Sequence, residues 1–445
     1  MASAREKRGQ LVYMIYRAMT ITLSPFLYLH LHYRRLKGLE HPLRWPERLG
    51  RPSLPRPPGP LLWFHAVSLG ESMAAIPVIE HCIQQKQQPR FTVLMTTTTN
   101  SAFNVIKDRL PADVIYQFAP LDTPAAMDSF LEYWSPHAIV LMESELWPNL
   151  ILGASRKGIM LALLNARVSP RSLRLWSGPV GLPLISLMLS KFFLIAPLST
   201  QEAIHFQLLH APPLTICFPG DLKYAVGNAD VPGNTGIQFE NLQQQLANRR
   251  VWMASSIHEG EEEVMLDVHK ELTQIYPDSV LIIVPRHPHQ GRKIAQAAQG
   301  DGHAVVLRSC SDNISANTNI YMVDTLGELR SLYRITPIAV IGGSFLPGLA
   351  GHNISEAAAA GCAVLTGSHV GHFSQMVSAM QRESSLSVCQ VSGKRELVET
   401  LSELFSDSRA LEARRAAAKQ AFLALSTGIV GNVWNLLSLH LLQKS

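Results

Sequence analysis

Short apolar runs alternate with helical patterns along most of the chain. In the first half, the strand-like runs lie at 61–65, 91–95, 138–142, 161–164 and 192–196. In the second half, they lie at 251–254, 280–284, 304–307, 320–323, 338–341 and 363–365. This alternation is typical of parallel β/α units in a doubly wound sheet. The pattern therefore predicts an α/β fold with two domains of comparable size.

Two stretches between the apolar runs are rich in residues that interrupt helices and strands. Residues 51–60 contain too many prolines for either structure, and residues 226–237 combine glycine, asparagine and proline. The predicted organisation follows from these breaks. It comprises an N-terminal membrane or targeting segment at 1–50, a first domain at 51–225, a linker at 226–240, a second domain at 241–430 and a C-terminal helix at 431–445.

The N-terminal segment is basic at both ends and apolar between residues 11 and 31. This run has the length of about 20 residues that a membrane-spanning helix needs. However, Arg17 would cost roughly 2.5–3.5 kcal/mol at the centre of a bilayer, and Pro25 would kink the helix. A helix lying on the membrane surface is favoured. A single span, a basic transit-type segment and a buried core helix remain open.

The composition of the 445 residues excludes several classes. With 47% hydrophobic and 16% charged residues, the chain is neither disordered nor a coiled coil. A net charge of +5 is too small to indicate a nucleic-acid partner. The five cysteines form no C-x-x-C pair, which favours a reducing compartment. The glycine fingerprints of dinucleotide oxidoreductases and P-loop NTPases are absent from the sequence.

Carboxylates follow two of the predicted strands in the first half. Glu71 opens the helix after strand 61–65, where it would either cap that helix or belong to a site. Glu143 and Glu145 come directly after strand 138–142. Because close carboxylates have raised pKa values, such a pair is suited to acid, base or charge-stabilising roles.

Basic and glycine-rich segments follow other strands. Arg167 and Arg171 are four residues apart, as in a phosphate or carboxylate clamp or an ordinary surface pair. In the second half, a glycine-rich loop at 342–351 leads to Asn353 and a helix that begins near Ser355. A helix N-terminus reached through glycines is suited to anions, although Asn353 and Ser355 also suit helix capping.

Eight short segments, in order across about residues 60–375, resemble one family, the 3-deoxy-D-manno-octulosonic acid (Kdo) transferases of lipid A assembly. The segments are 65–71, 143–149, 165–171, 256–262, 285–288, 324–329, 342–344 and 351–356. That family is similar in architecture to GT-B glycosyltransferases. The resemblance therefore implies two Rossmann-like domains facing a cleft.

The resemblance implies transfer of Kdo from CMP-Kdo to a lipid A precursor of the lipid IVA kind, with inversion and with no metal or other cofactor. It implies that Glu71 is the general base and that Glu143 and Lys223 stabilise the transition state. The residues implied to bind CMP are Pro285, Arg286, Leu326, Gly327, Glu328, Asn353, Ile354, Ser355 and Glu356. The implied partners are the donor, the lipid acceptor and a membrane surface.

The sequence departs from the common bacterial pattern of that family at two motifs. Asp221 replaces an asparagine, and Asn353-Ile-Ser-Glu356 replaces Asn-Pro-Leu-Glu. These variants resemble the plant version of the family. The expected location is therefore the mitochondrion, in association with a membrane, with the cytoplasmic face of a bacterial inner membrane as the alternative. A GT-B transferase of another nucleotide sugar, or a non-catalytic lipid- or nucleotide-binding relative, remains open.

Overall fold

The computed structural model describes residues 4–85, 91–225, 236–310 and 313–442. The chain divides into two compact units. The first comprises Met1–Val226 and Gly428–Ser445, and the second comprises Gly227–Thr427. Of the predicted linker at 226–240, residues 226–235 lie outside the described residues, and a helix begins at Gly236.

The first unit contains one parallel sheet with helices on both faces. Its strands are β1 (Leu61–His65), β2 (Thr92–Thr97), β3 (Ile115–Phe118), β4 (Ala138–Met142), β5 (Met160–Ala166) and β6 (Leu194–Pro197). Its helices in the first half of the chain are α1 (Ala4–Leu36), α2 (Leu69–Gln84), α3 (Asn100–Ile106), α4 (Pro124–Trp134), α5 (Pro148–Arg156), α6 (Pro170–Trp176), α7 (Gly181–Leu189) and α8 (Thr200–Leu208). The strand order β3-β2-β1-β4-β5-β6 reverses direction between β1 and β4.

The second unit repeats this architecture. Its strands are β7 (Arg250–Ile257), β8 (Ser279–Pro285), β9 (Val305–Leu307), β10 (Ile320–Met322), β11 (Ile338–Ile341), β12 (Ala363–Thr366) and β13 (Val388–Gln390). Its helices are α9 (Gly236–Leu246), α10 (Glu261–Ile275), α11 (Gly291–Gly300), α12 (Leu329–Ile335), α13 (Ser355–Ala360), α14 (Ser374–Glu383), α15 (Lys394–Ser406) and α16 (Ser408–Ser426). The order β13-β12-β11-β7-β8-β10-β9 reverses between β11 and β7. The predicted fold class, two doubly wound α/β sheets, is confirmed.

Each predicted apolar run forms a strand, with ends that differ by at most three residues. Two strands were not predicted, β3 and β13, and both lie at the edge of their sheet. β3 includes the fully buried Gln117, which interrupts its apolar pattern, and β13 is only three residues long. Each of these two short strands contains a glutamine, Gln117 or Gln390, and so lacks the continuous apolar run that marks a strand buried on both faces.

The end of the chain returns to the first unit. Helix α17 (Ile429–Leu437) packs against α2 and continues into a π-helical turn at Ser438–Leu442. Ile429 lies directly behind Gly220, where a Cβ atom would come within 2.9 Å of the isoleucine side chain. Gly220 also has a φ of +113°, a conformation that favours glycine. The C-terminal helix therefore supports the loop that leads to Lys223.

Helix α1 packs on the body of the first unit through one face. Tyr13 and Leu31 are buried, and Gly9 lies so close to α7 that a Cβ atom would be 2.5 Å from the carbonyl oxygen of Pro183. The Tyr16 hydroxyl donates a 2.9 Å hydrogen bond to Asp122. These contacts make α1 part of the folded unit.

The opposite face of α1 is apolar and exposed. Its exposed side chains include Leu11, Met14, Ile15, Met19, Leu23, Phe26 and Leu29. Arg17, which was expected to interrupt a span, pairs with Asp128 of α4 at 3.3 Å. Packing on one face and apolar exposure on the other are features of a helix that lies at a surface.

By length and hydropathy, α1 is not among the helices of the described chain that are suited to crossing a membrane. Ser408–Leu442, which includes α16 and α17, meets those criteria, as do α6 and α7 if this pair, bent by 103°, is counted as one span. One third of the apolar window in Ser408–Leu442 is buried, and one or two helices of this kind are weak evidence for a membrane span. Its composition alone therefore carries no argument for a span.

We expect Tyr13→Ala to lower the free energy of unfolding by on the order of 3 kcal/mol, because it removes a buried aromatic side chain. Met14→Ala, at the next and exposed position of α1, should change it by less than about 0.5 kcal/mol. Urea denaturation followed by circular dichroism measures both. Equal effects would mean that α1 is not part of the cooperatively folded unit.

Candidate active site

Strands β1 and β4 end side by side where the order of the first sheet reverses. In open α/β sheets, ligands bind at the carboxyl ends of the strands at this position. The segment after β1 leads through Ser68 into α2, and Glu143 follows β4 directly. The site is therefore described from these two connections.

Glu71 lies in the first turn of α2 and is half-buried. Its carboxylate accepts 2.8 Å hydrogen bonds from the Val67 backbone N–H and the Ser68 hydroxyl, and Ser68 accepts one from the Glu71 N–H. This is a variant of the capping box, in which the carboxylate accepts from the Val67 N–H rather than from the N–H of the N-cap residue Ser68. Burial raises the pKa of Glu71, the bonds from Val67 and Ser68 lower it, and the charges of Glu143 and Glu145 raise it further, so that the net pKa is raised. Capping and a raised proton affinity coexist in this side chain.

Glu143 is buried and is held between two cations. Its Oε1 atom lies 2.9 Å from Lys223 Nζ, and its Oε2 atom lies 2.6 Å from Arg167 Nε. The structure thus brings together Glu143 and Lys223. Arg167 does not form a clamp with Arg171, which is exposed on α6. Because a buried carboxylate needs such partners, Glu143 fixes the position of the Lys223 ammonium group.

The loop that carries Lys223 is fixed by hydrogen bonds to β5. Asp221 Oδ1 accepts 2.8 Å bonds from Asn165 Nδ2 and from the Lys223 backbone N–H, while Asn165 Oδ1 accepts a bond from the Leu222 N–H. Burial raises the pKa of Asp221, and the charge of Lys223 opposes this shift. Since both bonds to Asp221 go to one oxygen, an asparagine at this position would hold the loop in the same way.

Glu145 has partners other than those of Glu143. Its carboxylate accepts a 2.6 Å hydrogen bond from Trp147 Nε1 and lies 3.5 Å from His65 Nε2. The other ring nitrogen of His65 lies 2.9 Å from the Thr96 hydroxyl. Glu145 is thus a buried, fixed charge near Glu71, to whose raised pKa it contributes.

The second unit has a comparable arrangement where β7 and β11 end. The fully buried Glu261 accepts hydrogen bonds of 2.7–2.9 Å from the backbone N–H groups of His258, Gly343, Ser344 and Phe345. One carboxylate therefore joins the loop after β7 to the glycine loop after β11. Nothing in the sequence indicates this role, because three consecutive glutamates at a helix start indicate compensation of the helix dipole.

Two histidines that were given no role from the sequence lie beside Arg286. His258 Nε2 and His352 Nε2 are 2.8 Å apart. Burial lowers the pKa of His352 to about 4, and the charges of Arg286 and His258 contribute to that shift. Arg286 follows Pro285 at the end of β8 and is exposed. Arg286 and this histidine pair thus lie close together at the carboxyl edge of the second sheet.

The side chains of Glu328 and Glu356 are bound to arginines of the same unit. Glu328 pairs with Arg308 at 2.8 Å, and Glu356 pairs with Arg330 of α12 at 3.4 Å. The Arg330–Glu356 pair links the segment around Glu328 to that around Glu356. Both carboxylates are partly exposed.

The remaining residues predicted to bind the donor differ in exposure. Leu326 and Gly327 are exposed, whereas Ile354 and Ser355 are buried. Asn353 Oδ1 accepts hydrogen bonds from the Ser355 backbone N–H at 2.9 Å and from its hydroxyl at 2.8 Å. Asn353 therefore satisfies the first backbone N–H of the short helix α13, from the position before the N-cap residue Ile354, which has no side-chain cap hydrogen bond.

The described residues contain no group of three or more His, Cys, Asp or Glu side chains arranged to hold a metal ion. The five cysteines are free thiols. The absence of a catalytic metal from the reaction stays a prediction.

Comparison with known proteins identifies the family. A family model described as 3-deoxy-D-manno-octulosonic-acid transferase (kdotransferase) matches residues 43–226. A protein of Arabidopsis thaliana named a probable mitochondrial 3-deoxy-D-manno-octulosonic acid transferase is 58% identical over 98% of both chains. The 3-deoxy-D-manno-octulosonic acid transferase of Haemophilus influenzae is 28% identical over 96% of this chain and 98% of its own.

Among solved structures, UDP-GlcNAc 2-epimerase from Neisseria meningitidis matches with a TM-score of 0.56 and 12% identity, over 85% of this chain and 98% of its own. This likeness shows the fold alone, and it agrees with the GT-B-like architecture of two Rossmann-like units. The relative from Arabidopsis is more than half identical over nearly the whole length. The chain therefore belongs to the 3-deoxy-D-manno-octulosonic acid transferase family.

Proposed function

We propose that the protein transfers Kdo from CMP-Kdo to a lipid A precursor of the lipid IVA kind, with inversion at the anomeric carbon and without a catalytic metal. The observation that carries this proposal is the cluster of Glu71, Glu143 and Lys223 in the first unit. It combines a carboxylate of raised pKa with a lysine that a buried ion pair holds in place.

In this mechanism, the Glu71 carboxylate takes the proton of an acceptor hydroxyl as its oxygen attacks the anomeric carbon of Kdo. The bond between that carbon and the phosphate oxygen of CMP breaks, and CMP leaves with the electron pair. Lys223, held by Glu143, stabilises the negative charge that develops. Preorganised charges of this kind are a large source of rate enhancement.

CMP is assigned to the second unit. Arg286 is exposed at the end of β8 and supplies a cation for the single phosphodiester. The neighbouring segments are 326–328 and 353–356, and the Arg330–Glu356 ion pair joins them. Glu261 holds the loop after β7 and the glycine loop after β11, which leads to segment 353–356.

We also infer a mitochondrial location at a membrane surface. The relative from Arabidopsis carries the word mitochondrial in its name, and the exposed apolar face of α1 is suited to a membrane surface.

The direct test of the function is incubation of the purified protein with CMP-Kdo and lipid IVA, with CMP release and the mass of the lipid product as readouts. UDP-sugars serve as control donors. Nucleotide release from a UDP-sugar, with none from CMP-Kdo, would contradict the proposed donor.

Glu71→Gln should lower kcat by about 10²–10⁴-fold, the usual contribution of a general base. Donor binding should stay within about threefold, since CMP is assigned to the other unit. Because Glu71 also caps α2, its substitution should lower the melting temperature as well.

Ser68→Ala is the matched control for the Glu71 variant. It removes the cap hydrogen bonds, at about 1 kcal/mol of stability, but keeps the carboxylate and should retain most of the turnover. Similar kcat values for the two variants would rule out the general-base role.

The acid limb of the pH profile of kcat/KM should lie above the ordinary pKa of a glutamate, because the base acts only when deprotonated and its pKa is raised. The rate should therefore fall as pH decreases through this raised value. Glu145→Gln removes a nearby negative charge and should shift the limb to lower pH. An unmoved limb, or a shift to higher pH, would argue against Glu71 as the titrating group.

Glu261→Gln should lower the free energy of unfolding by on the order of 1–3 kcal/mol, because backbone N–H groups lose their acceptor. It should also raise the KM for CMP-Kdo more than it lowers kcat. Glu263→Gln, at an exposed position in the same helical turn, is the control and should change neither by much. Chemical denaturation and steady-state kinetics measure these effects, and equal donor KM values for the two variants would contradict the positioning role.

A further inference from the structure

A cavity of about 290 Å³ lies beneath α1 in the first unit, at the carboxyl edge of the sheet. Helix α1 contributes Tyr16, Thr20 and Leu27 to its wall, and segments that follow β1, β2, β3 and β4 contribute most of the rest. Most of the lining is apolar, and the volume is near the lower limit of about 300 Å³ for small-molecule sites.

This cavity adjoins the proposed general base. Val67 lines it, and the Val67 backbone N–H donates to the Glu71 carboxylate. His65, which lies beside Glu145, lines it as well. A molecule held in the cavity would therefore extend toward the site of proton transfer.

One wall of the cavity carries a buried cation, the Arg48 side chain. Arg48 is 8% exposed, and one of its terminal nitrogens donates to the Ala119 carbonyl. Burial lowers the pKa of Arg48 to about 10, so the side chain stays charged at neutral pH. A buried charge is unfavourable unless a group of opposite charge or a hydrogen-bond acceptor faces it.

We propose that the cavity binds a fatty acyl chain, with its methylene groups against the apolar walls and its head oxygen toward the positive charge of the Arg48 guanidinium. The acceptor glycolipid supplies this chain. That last assignment rests on the proposed function, whereas binding of an acyl chain in the cavity does not.

Titration calorimetry with sodium laurate tests the cavity independently of catalysis. Leu27→Trp narrows the cavity and should weaken laurate binding at least about tenfold, while Leu29→Trp, at a 63% exposed position of the same helix, should leave it within about twofold. Equal binding by these two variants, or no laurate binding by the wild type, would overturn the proposal.

A second pair of matched variants tests the role of the Arg48 guanidinium. Arg48→Met removes the cation that faces the laurate carboxylate and should weaken laurate binding by on the order of tenfold. Arg56→Met removes an arginine that donates to the backbone carbonyls of Trp134 and Pro57 and should leave laurate binding unchanged. The same affinity in both variants would overturn the role of Arg48.

The source of the chain is tested by kinetics with the acylated acceptor and with the same acceptor after chemical deacylation. Leu27→Trp should raise KM for the acylated acceptor alone, with the donor KM unchanged. If laurate binding responds to Leu27→Trp but the acceptor KM does not, assignment to the acceptor is wrong. If the wild type binds laurate in this way but transfers no Kdo, the proposed function is wrong and the cavity assignment stands.

Discussion

The reversal of strand order within each parallel sheet determines where polar side chains come together. On either side of the reversal, the connections lead to opposite faces, so the ends of two neighbouring strands remain uncovered. In the first unit these strands are β1 and β4, which are followed by Glu71 and Glu143. In the second unit they are β7 and β11, and the loops that follow them meet at Glu261.

Two buried carboxylates stabilise these uncovered ends by different means. Glu143 is neutralised by the cations of Lys223 and Arg167, and Glu261 by four backbone N–H groups. The first arrangement fixes a charged side chain, and the second fixes the path of a loop. Glu71 differs from both because it is only half-buried, and burial raises its pKa. It is thus the one carboxylate of these three suited to exchanging a proton.

Much of the fold could be predicted because central strands, buried on both faces, are continuous apolar runs. The edge strand β3, with Gln117 in its run, lacks that signal. Candidate site residues were found from their positions after strands, but their partners depend on contacts far apart in sequence. Nothing local distinguishes Glu261 from the two glutamates that follow it, or indicates that Ile429 packs behind Gly220. The basic and apolar composition of α1 fits several interpretations, and its contacts with Asp122 and α7, which are far away in sequence, could not be predicted from that composition.

The packing of α1 has a consequence for how the protein could reach an organelle. A targeting signal that is cleaved after import must not be needed for the stability of the mature folded protein. Cleavage after α1 would remove Tyr13 and Leu31 from the interior and the Tyr16 partner of Asp122. If this helix directs import, the import machinery must recognise it before the protein folds, and the helix must then be retained. The same segment would serve first as a targeting signal and afterwards as a structural helix of the first unit.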